Sequence, residues 1–225
     1  MKRRWYLTFH GGADRSDLNS VHVYSSDGEH VGKALDRASL PEDLELRELR
    51  GHAFGPDGDF YVANAFKEYS QIIRFHGTRD RRGKHSREAS FAGGFLWVVD
   101  RDADCVRKYI PATGVYLDAI SARDLIDKPI HLAADRSTLY IGNRGNESVV
   151  KCDLLTERVS PFIRPKSGGL KNPSGLAFGG DGWFYAGSRG TRHILRYRMS
   201  DGSPDARPFI DELEDEPEFL ERADR

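Results

Sequence analysis

The sequence contains little cysteine and no long apolar run, and both absences narrow the class of protein. Its two cysteines, Cys105 and Cys152, give no sign of the disulfide framework that stabilises small secreted domains. The N-terminus MKRRWYLTF is basic but lacks the apolar stretch that a secretory signal or a membrane helix requires. We therefore expect a soluble protein, located in the cytoplasm, that does not associate with membranes.

An excess of one charge sign is also lacking, although charge is unevenly distributed along the chain. The formal net charge is -1 at pH 7, which argues against a globally charged nucleic-acid or membrane binder. Residues 79–87 (RDRRGKHSR) are strongly basic, and residues 211–225 are mostly acidic. We interpret both blocks as solvated segments, with RNA binding through the basic loop 79–87 as a minor alternative.

Glycine is abundant, and it marks an internal repeat. Two stretches, residues 51–64 (GHAFGPDGDFYVAN) and 175–188 (GLAFGGDGWFYAGS), share an apolar strand, a glycine-rich turn and a second apolar strand. The Asp-Gly turn supplies the positive φ angles that a tight hairpin requires. Weaker copies occupy residues 88–100 and 131–143.

A third strand follows each pair after a short polar loop. Its five copies begin at residues 21, 72, 106, 149 and 194, each with a β-branched residue. Arg or Lys occupies most third positions and an aromatic residue most fourth positions, where Cys152 is the exception and is interpreted as a core residue. The spacing, about 43 residues, is typical of a four-stranded propeller blade.

A fourth, outer strand completes most copies. We assign it to His30–Leu35, Tyr116–Ile120, Val159–Ile163 and residues 206–210, whereas the copy after Ile72 has the basic loop instead. The sequence therefore predicts an all-β fold, a β-propeller of about five four-stranded blades. A generic antiparallel sandwich would not explain a fixed period with aligned turn, aromatic and basic positions.

The repeat resembles the NHL-repeat family, with its Pro-x-Gly-Leu-Ala, Asp-Gly, Leu-Tyr-Val-Ala-Asp and Arg-Ile elements. Residues 173–196 (PSGLAFGGDGWFYAGSRGTRHILR) match best, and the resemblance covers nearly the whole chain. It extends more loosely to gluconolactonase/regucalcin-like and streptogramin-lyase-like proteins of the six-bladed-like superfamily. The resemblance implies an architecture rather than one activity, because propellers host unrelated functions.

The first copy of the repeat lacks its inner strand, so the sequence does not show how the ring would close. The first copy begins at residues 5–9 with a strand of the second type, and the spacing would place its missing inner strand near Ala223. We divide the chain into an NHL-like propeller, residues 1–210, and an acidic tail or closing segment, residues 211–225. Closure by residues 218–220, an open ring and closure by another subunit are all retained. An open blade edge would favour a homo-oligomer.

Polar residues recur at two positions that a propeller brings to one channel mouth. The position after the second strand is held by His10, Asn64, Asp100, Asn143 and Ser188. The start of the first strand is held by Arg50, Arg87 with Glu88, Ile130 with His131, and Ser174 with Gly175. Polar groups that converge on a concavity form the usual ligand site, so we predict a small molecule or a protein as the partner there.

Three aligned arginines, Arg101, Arg144 and Arg189, each follow the residue after the second strand. Guanidinium groups around an opening could hold a carboxylate or a phosphate. The structural alternative is that they pair with acidic residues of adjacent turns.

A mixed site for one divalent metal ion could be formed by His10, Glu88, Asp100 and His131, although no sequence-local ligand motif is present. The resemblance to regucalcin-type lactonases implies acidic or amide ligands before the first strand, where this chain has Arg50, Arg87, Ile130 and Ser174 instead. The resemblance to streptogramin-lyase-like enzymes implies a channel histidine as general base, and His131 is the candidate for that catalytic role.

Three functions follow, in order of preference. The first is a ligand- or protein-binding module that uses the channel mouth, since rigid folds with variable loops suit binding. The second is a metal-assisted lyase or hydrolase that acts in the channel. The third is RNA binding through the basic loop.

Overall fold

The computed structural model describes residues 3–9, 16–35, 46–47, 49–54, 60–64, 71–75, 89–110, 113, 115–135 and 137–224. Within these ranges the chain is all-β, with short 3-10 turns at Ser16–Leu18 and Ser167–Gly169. The described strands form five small antiparallel sheets. The predicted all-β class is thereby confirmed, and the set of small antiparallel sheets is consistent with a β-propeller-like fold.

The first two sheets contain the N-terminal strands and the last strand of the chain. The first sheet has the order β18-β1-β2-β3, with β1 at Arg3–Phe9, β2 at Val21–Ser25, β3 at His30–Leu35 and β18 at Pro217–Asp224. The second sheet contains β4 (Leu49–Phe54), β5 (Phe60–Asn64) and β6 (Gln71–Phe75) in that order.

The other three sheets follow the chain without interruption. The third sheet contains β7 (Ala89–Ala92), β8 (Phe95–Asp100), β9 (Cys105–Tyr109) and β10 (Tyr116–Ile120). The fourth contains β11 (Pro129–Ala134), β12 (Thr138–Asn143), β13 (Ser148–Asp153) and β14 (Val159–Ile163). The fifth contains β15 (Pro173–Phe178), β16 (Trp183–Ser188) and β17 (His193–Arg198).

The predicted outer strands match β3, β10 and β14 residue for residue. The predicted outer strand at 206–210 is different, because this region makes only isolated bridges, from Ile194 to Ile210 and from Tyr197 to Pro204. Pro204 and Pro208 lack the backbone N–H that a continuous ladder requires, which accounts for the interruption.

The first strands of the sheets lie next to one another. Strand β18 contacts β4 and β15, β15 contacts β11, and β11 contacts β7. The approach of β18 to β15 is close at Gly175, where a Cβ atom would meet the backbone nitrogen of Leu220. Glycine is therefore required at this position by the contact between two backbones.

Aromatic side chains fill the space between the fourth and fifth sheets. Tyr140, Phe162 and Phe178 surround the buried Phe184 ring, with centroids 5.1, 5.3 and 5.4 Å from it. Cys152, at 0 % exposure, lies in the core of the fourth sheet, and burial raises the pKa of its thiol to about 11. Its core placement agrees with its interpretation as a substitute for an aromatic residue.

Candidate functional site

The predicted site residues that the structure describes lie at one end of their sheets, where first strands begin and second strands end. The register pairs Leu49 with Asn64, Pro129 with Asn143, Pro173 with Ser188 and Pro217 with Phe9. In these four sheets the start of the first strand is thus opposite the end of the second strand. We define the mouth face as these strand ends together with the loops that join them to the rest of each sheet.

Contacts between neighbouring sheets show that their mouth-face ends lie together. The Lys128 backbone N–H donates to Asp104 Oδ1 at 2.6 Å, which joins the third sheet to the loop before β11. The Lys166 N–H donates to the Glu147 carbonyl at 3.0 Å, which joins the fourth sheet to the loop before β15. Each of these contacts runs from the turn after a second strand to the loop before the next first strand.

The third such contact is an ion-pair cluster around Arg189. Its guanidinium donates to Glu216 Oε2 from Nε at 3.1 Å and from one terminal nitrogen at 2.7 Å. Its other terminal nitrogen lies 3.3 Å from Glu218 Oε2. The Arg189 and Glu218 side chains are 10 % and 7 % exposed, whereas Glu216 is 45 % exposed, and the cluster holds the beginning of β18 against the fifth sheet.

The amide or hydroxyl residue at the end of the second strand accepts a hydrogen bond from the loop before the first strand of the same sheet. We call this residue, in the second, fourth and fifth sheets, the latch residue and its bond the latch. Asn64 Oδ1 accepts from the Arg47 N–H at 2.6 Å, Asn143 Oδ1 from the Asp127 N–H at 3.3 Å and Ser188 Oγ from the Lys171 N–H at 3.0 Å. In each sheet the donor lies two residues before the first strand begins. These three side chains therefore satisfy buried backbone groups and fix the loop that precedes the sheet.

Asn143 makes the most complete latch. Its Nδ2 donates to the Leu125 carbonyl at 2.8 Å and to Ser148 Oγ at 3.2 Å, in addition to the bond that Oδ1 accepts. The residue is fully buried, so nearly all the hydrogen-bonding capacity of its amide is used by the protein itself.

A glycine two residues after the latch residue allows this geometry. A Cβ atom on Gly145 would meet the Asp127 carboxylate, and one on Gly190 would meet the Lys171 side chain at 2.6 Å. The N–H groups of these glycines donate to the carbonyls of Asp127 and Lys171, both at 3.1 Å. In the fourth and fifth sheets the Arg-Gly sequence that follows the latch residue thus brings the turn against the loop before the first strand.

Asp100 occupies the latch position of the third sheet but bonds differently. Its Oδ2 accepts from Arg107 Nε at 2.7 Å and its Oδ1 accepts from the Ala103 N–H at 3.1 Å. The hydrogen bond with Arg107 lowers the pKa of the Asp100 carboxyl below its usual range. The side chain therefore faces its own turn and β9, where a cation neutralises it.

The three aligned arginines begin three equivalent four-residue turns, 101–104, 144–147 and 189–192. The last residue of each turn is left-handed, with φ values of 49° at Asp104, 57° at Glu147 and 58° at Arg192. Arg101 is exposed and Arg144 is half-buried, and neither forms an ion pair with any residue in the described ranges. Arg189 alone is committed to an acidic cluster.

Most of the described residues that were predicted to line the mouth from the starts of the first strands are buried. Ser174 is 0 % exposed, Ile130 8 % and His131 5 %, and the His131 backbone pairs with that of Gly142. Ser174 Oγ has no hydrogen-bond partner among the described residues, and it lies where the absence of a side chain on Gly187 leaves room. Arg50 lies in β4, although its side chain is not described, and His10, Arg87 and Glu88 lie outside the described residues.

Glu218 is a mouth-face residue that the sequence reasoning missed. It is the second residue of β18, the position that Ser174 holds in β15, and it is 6 % exposed. A sequence signal was available, because three first strands begin with Pro-x-x-Leu, at residues 129–132, 173–176 and 217–220. The third copy identifies Pro217 as the start of a first strand.

Two of the four predicted metal ligands, Asp100 and His131, lie in the part of the chain that the structure describes. Asp100 is paired with Arg107, and His131 is buried in β11. Over these described ranges there is no group of three or more His, Cys, Asp or Glu side chains that could hold a metal ion. His10 and Glu88, the other two predicted ligands, remain predictions. Likewise, no described helix is long and apolar enough to cross a membrane.

Comparison with known proteins gives the fold but no family. No family model and no curated protein matches the sequence. A protein of unknown function from Bacteroides caccae is similar in structure, with a TM-score of 0.58, 11 % identity and 100 % of both chains covered. At this identity the likeness shows a shared fold alone.

Two further solved structures are more distant. Citrobacter koseri AztD has a TM-score of 0.43 and 14 % identity, over 91 % of this chain and 55 % of that one. A chain of the Mitotic Checkpoint Complex has a TM-score of 0.44 and 14 % identity, over 66 % of this chain and 43 % of that one. This chain thus spans little more than half the length of AztD.

Proposed function

We propose that this chain is an NHL-like β-propeller of about five blades that acts as a binding module through its mouth face. In this proposal residues 1–210 form the propeller and residues 211–225 the closing segment. The antiparallel pairing of β18 with β1, from Arg3 opposite Asp224 to Phe9 opposite Pro217, supports the closing role.

The partner that the mouth face suits best is anionic, either a small molecule or an acidic segment of a protein. The supporting observation is a set of cations that form no ion pair within the described ranges and that lie in the turns and loops of the third to fifth sheets. These are Arg101, Lys128, Arg144, Lys171 and Arg192. Such a set attracts carboxylates or phosphates, and Arg can bind them with two hydrogen bonds.

The latches support this proposal because they give the cations a rigid base. The backbone N–H groups of Lys171 and Lys128 donate to the side chains of Ser188 and Asp104, which fixes the two loops. Arg144 directly follows the latch residue Asn143. A side chain mounted on a fixed backbone loses less conformational entropy on binding. The latch residues themselves serve the framework in this interpretation, rather than the ligand.

The experiment uses a fluorescein-labelled octaglutamate peptide as the probe and fluorescence anisotropy as the measurement. We expect binding that weakens with added salt and that falls at least about tenfold in the Arg144→Ala/Lys171→Ala double variant. Arg158→Ala is the matched control, because Arg158 is an exposed arginine in the β13–β14 turn at the opposite end of the fourth sheet. Absence of binding, or an equal loss in the control, would overturn the proposal.

The alternatives have less support. A metal-assisted lyase or hydrolase would require Asp100 to leave Arg107 and would require His131 to reach substrate from a position only 5 % exposed. The loop 79–87, on which RNA binding depends, lies outside the described residues and stays a prediction. Association through an open blade edge also stays a prediction.

A further inference from the structure

Two histidines meet in the outer half of the first sheet, away from the strands that form the mouth-face latches. His22 lies on β2 and His30 on β3, and His22 Nδ1 is 3.2 Å from His30 Nε2. His22 is 2 % exposed and its ring packs edge-on against Phe9, at a centroid distance of 4.7 Å. His30 is exposed, so the pair joins a buried imidazole to one that solvent can reach.

The buried ring is held in the neutral form. Burial, together with the neighbouring His30 and Lys33, lowers the pKa of His22 from 6.5 to about 4, and the Asp17 backbone carbonyl opposes this shift in part. Neutral imidazole is the form that binds metal ions, because its free nitrogen carries a lone pair.

We propose that His22 Nδ1 and His30 Nε2 form a binding site for one divalent transition-metal ion of the zinc or copper class. Two nitrogens that are each about 2.0–2.1 Å from a tetrahedral metal ion are roughly 3.3 Å apart, close to the observed separation. Imidazole is the ligand that these metals favour over calcium or magnesium. Water completes the coordination on the exposed side, next to His30.

Two features of the surroundings act on the pair. His22 Nε2 is buried and has no hydrogen-bond partner among the described residues, whereas the outer nitrogen of a metal-bound histidine usually donates to an oxygen. The Asp17 carbonyl accepts from Lys33 Nζ at 3.0 Å, which keeps that ammonium group near the pair. Because Lys33 is positively charged, it weakens the attraction of a cation, and its removal should tighten binding.

The experiment titrates the metal-stripped full chain with Zn²⁺ by calorimetry, and with Cu²⁺ by electron paramagnetic resonance, at pH 7.5. We expect one site that His30→Gln weakens at least about tenfold. His30 is exposed, so this variant should leave the fold unchanged. The copper spectrum of the unaltered chain should show coupling to two nitrogens from this site, and His30→Gln should remove that signal.

Two further variants separate this site from adventitious binding elsewhere on the chain. His193→Gln removes a half-buried histidine that pairs with Asp211 at 2.7 Å in the fifth sheet, and it should leave the affinity unchanged. Lys33→Gln should increase the affinity several-fold because it removes a neighbouring positive charge. The proposal fails if His30→Gln binds as the unaltered chain does, if His193→Gln causes the same loss, or if Lys33→Gln weakens binding.

Discussion

The fourth and first sheets have the same arrangement of four antiparallel strands, but the chain supplies those strands differently. The fourth sheet is continuous from Pro129 to Ile163, whereas the first combines β1 to β3 with β18, taken from the other end of the chain. In the fourth sheet a hairpin and the Asn143 latch hold the first strand. In the first sheet, pairing with β1 and the Arg189 cluster hold β18. The position of a strand in a sheet is therefore independent of how the chain reaches it.

The largest expected effect is the removal of β18. A chain that ends at Asp215 loses every backbone bond between β18 and β1 and uncovers Leu7 and Phe9, both 0 % exposed. We expect a loss of more than about 5 kcal/mol, enough to abolish cooperative unfolding in a typical domain. Urea denaturation followed by tryptophan fluorescence and by near-ultraviolet circular dichroism measures the effect.

A circular permutant is the control for that truncation. Opening the chain after Leu155, which is 91 % exposed, and joining Asp224 to Arg3 through a short glycine linker makes the first sheet continuous and divides the fourth. All strands remain, so we expect a cooperative transition close to that of the unaltered chain. A truncated chain as stable as the full one, or a permutant that does not fold, would contradict our account of the two sheets.

The next effect in size comes from a buried position that the two sheets fill differently. His22 in β2 aligns with Val150 in β13, and both are 2 % exposed. The pKa of His22 is about 4 in the folded chain, against an ordinary value of 6.5, so the unfolded chain binds a proton more readily. The stability is complete above about pH 6.5 and falls by on the order of 2–3 kcal/mol as the pH drops from 6.5 towards 4.

His22→Val, which copies the fourth sheet, is the test of that pH dependence. Urea midpoints between pH 4 and 8 should show a shallower decline on acidification in this variant than in the unaltered chain. His193→Gln, which alters a half-buried histidine, should keep the original slope. Equal slopes in His22→Val and the unaltered chain would show that other groups cause the acid sensitivity.

The repeating parts of this fold could be predicted from the sequence, because each sheet repeats the same pattern of apolar strands and short turns. Outer strands β3, β10 and β14 were found residue for residue, and Cys152 was identified as a core residue, since hydrophobic period and turn chemistry are local signals. Strand β18 was harder to predict, because its partner β1 is some two hundred residues away. Its Pro-x-x-Leu signature is informative only after the other copies are known.

The chemistry of the mouth face was less predictable. Alignment brought Asn64, Asn143 and Ser188 into one column, but their partners are backbone N–H groups two residues before a strand, which carry no side-chain signature. Asp100 stands in the same column and instead pairs with Arg107, because a carboxylate can only accept and is drawn to a nearby cation. The alignment of the repeats thus predicts the position of a side chain in the sheet, but it does not predict which group that side chain binds.

The smallest expected effect tests whether the latch is a structural device. Asn143→Ala leaves the Asp127 N–H without its side-chain acceptor and leaves the Leu125 carbonyl only the longer bond from Asn146, and we expect a loss of about 1–2 kcal/mol in urea denaturation. Asp100→Ala in the third sheet should cost less, because the Asp100 side chain is 28 % exposed and water can replace it at Arg107. At temperatures where both variants are folded, Asp100→Ala should leave binding of the octaglutamate probe unchanged. Asn143→Ala should weaken that binding by less than the Arg144→Ala/Lys171→Ala variant does, because Arg144 loses its rigid base but keeps its charge. If Asn143→Ala instead abolished binding while unfolding like the unaltered chain, the column would be a ligand site, and the anionic partner would be recognised by amides as well as by cations.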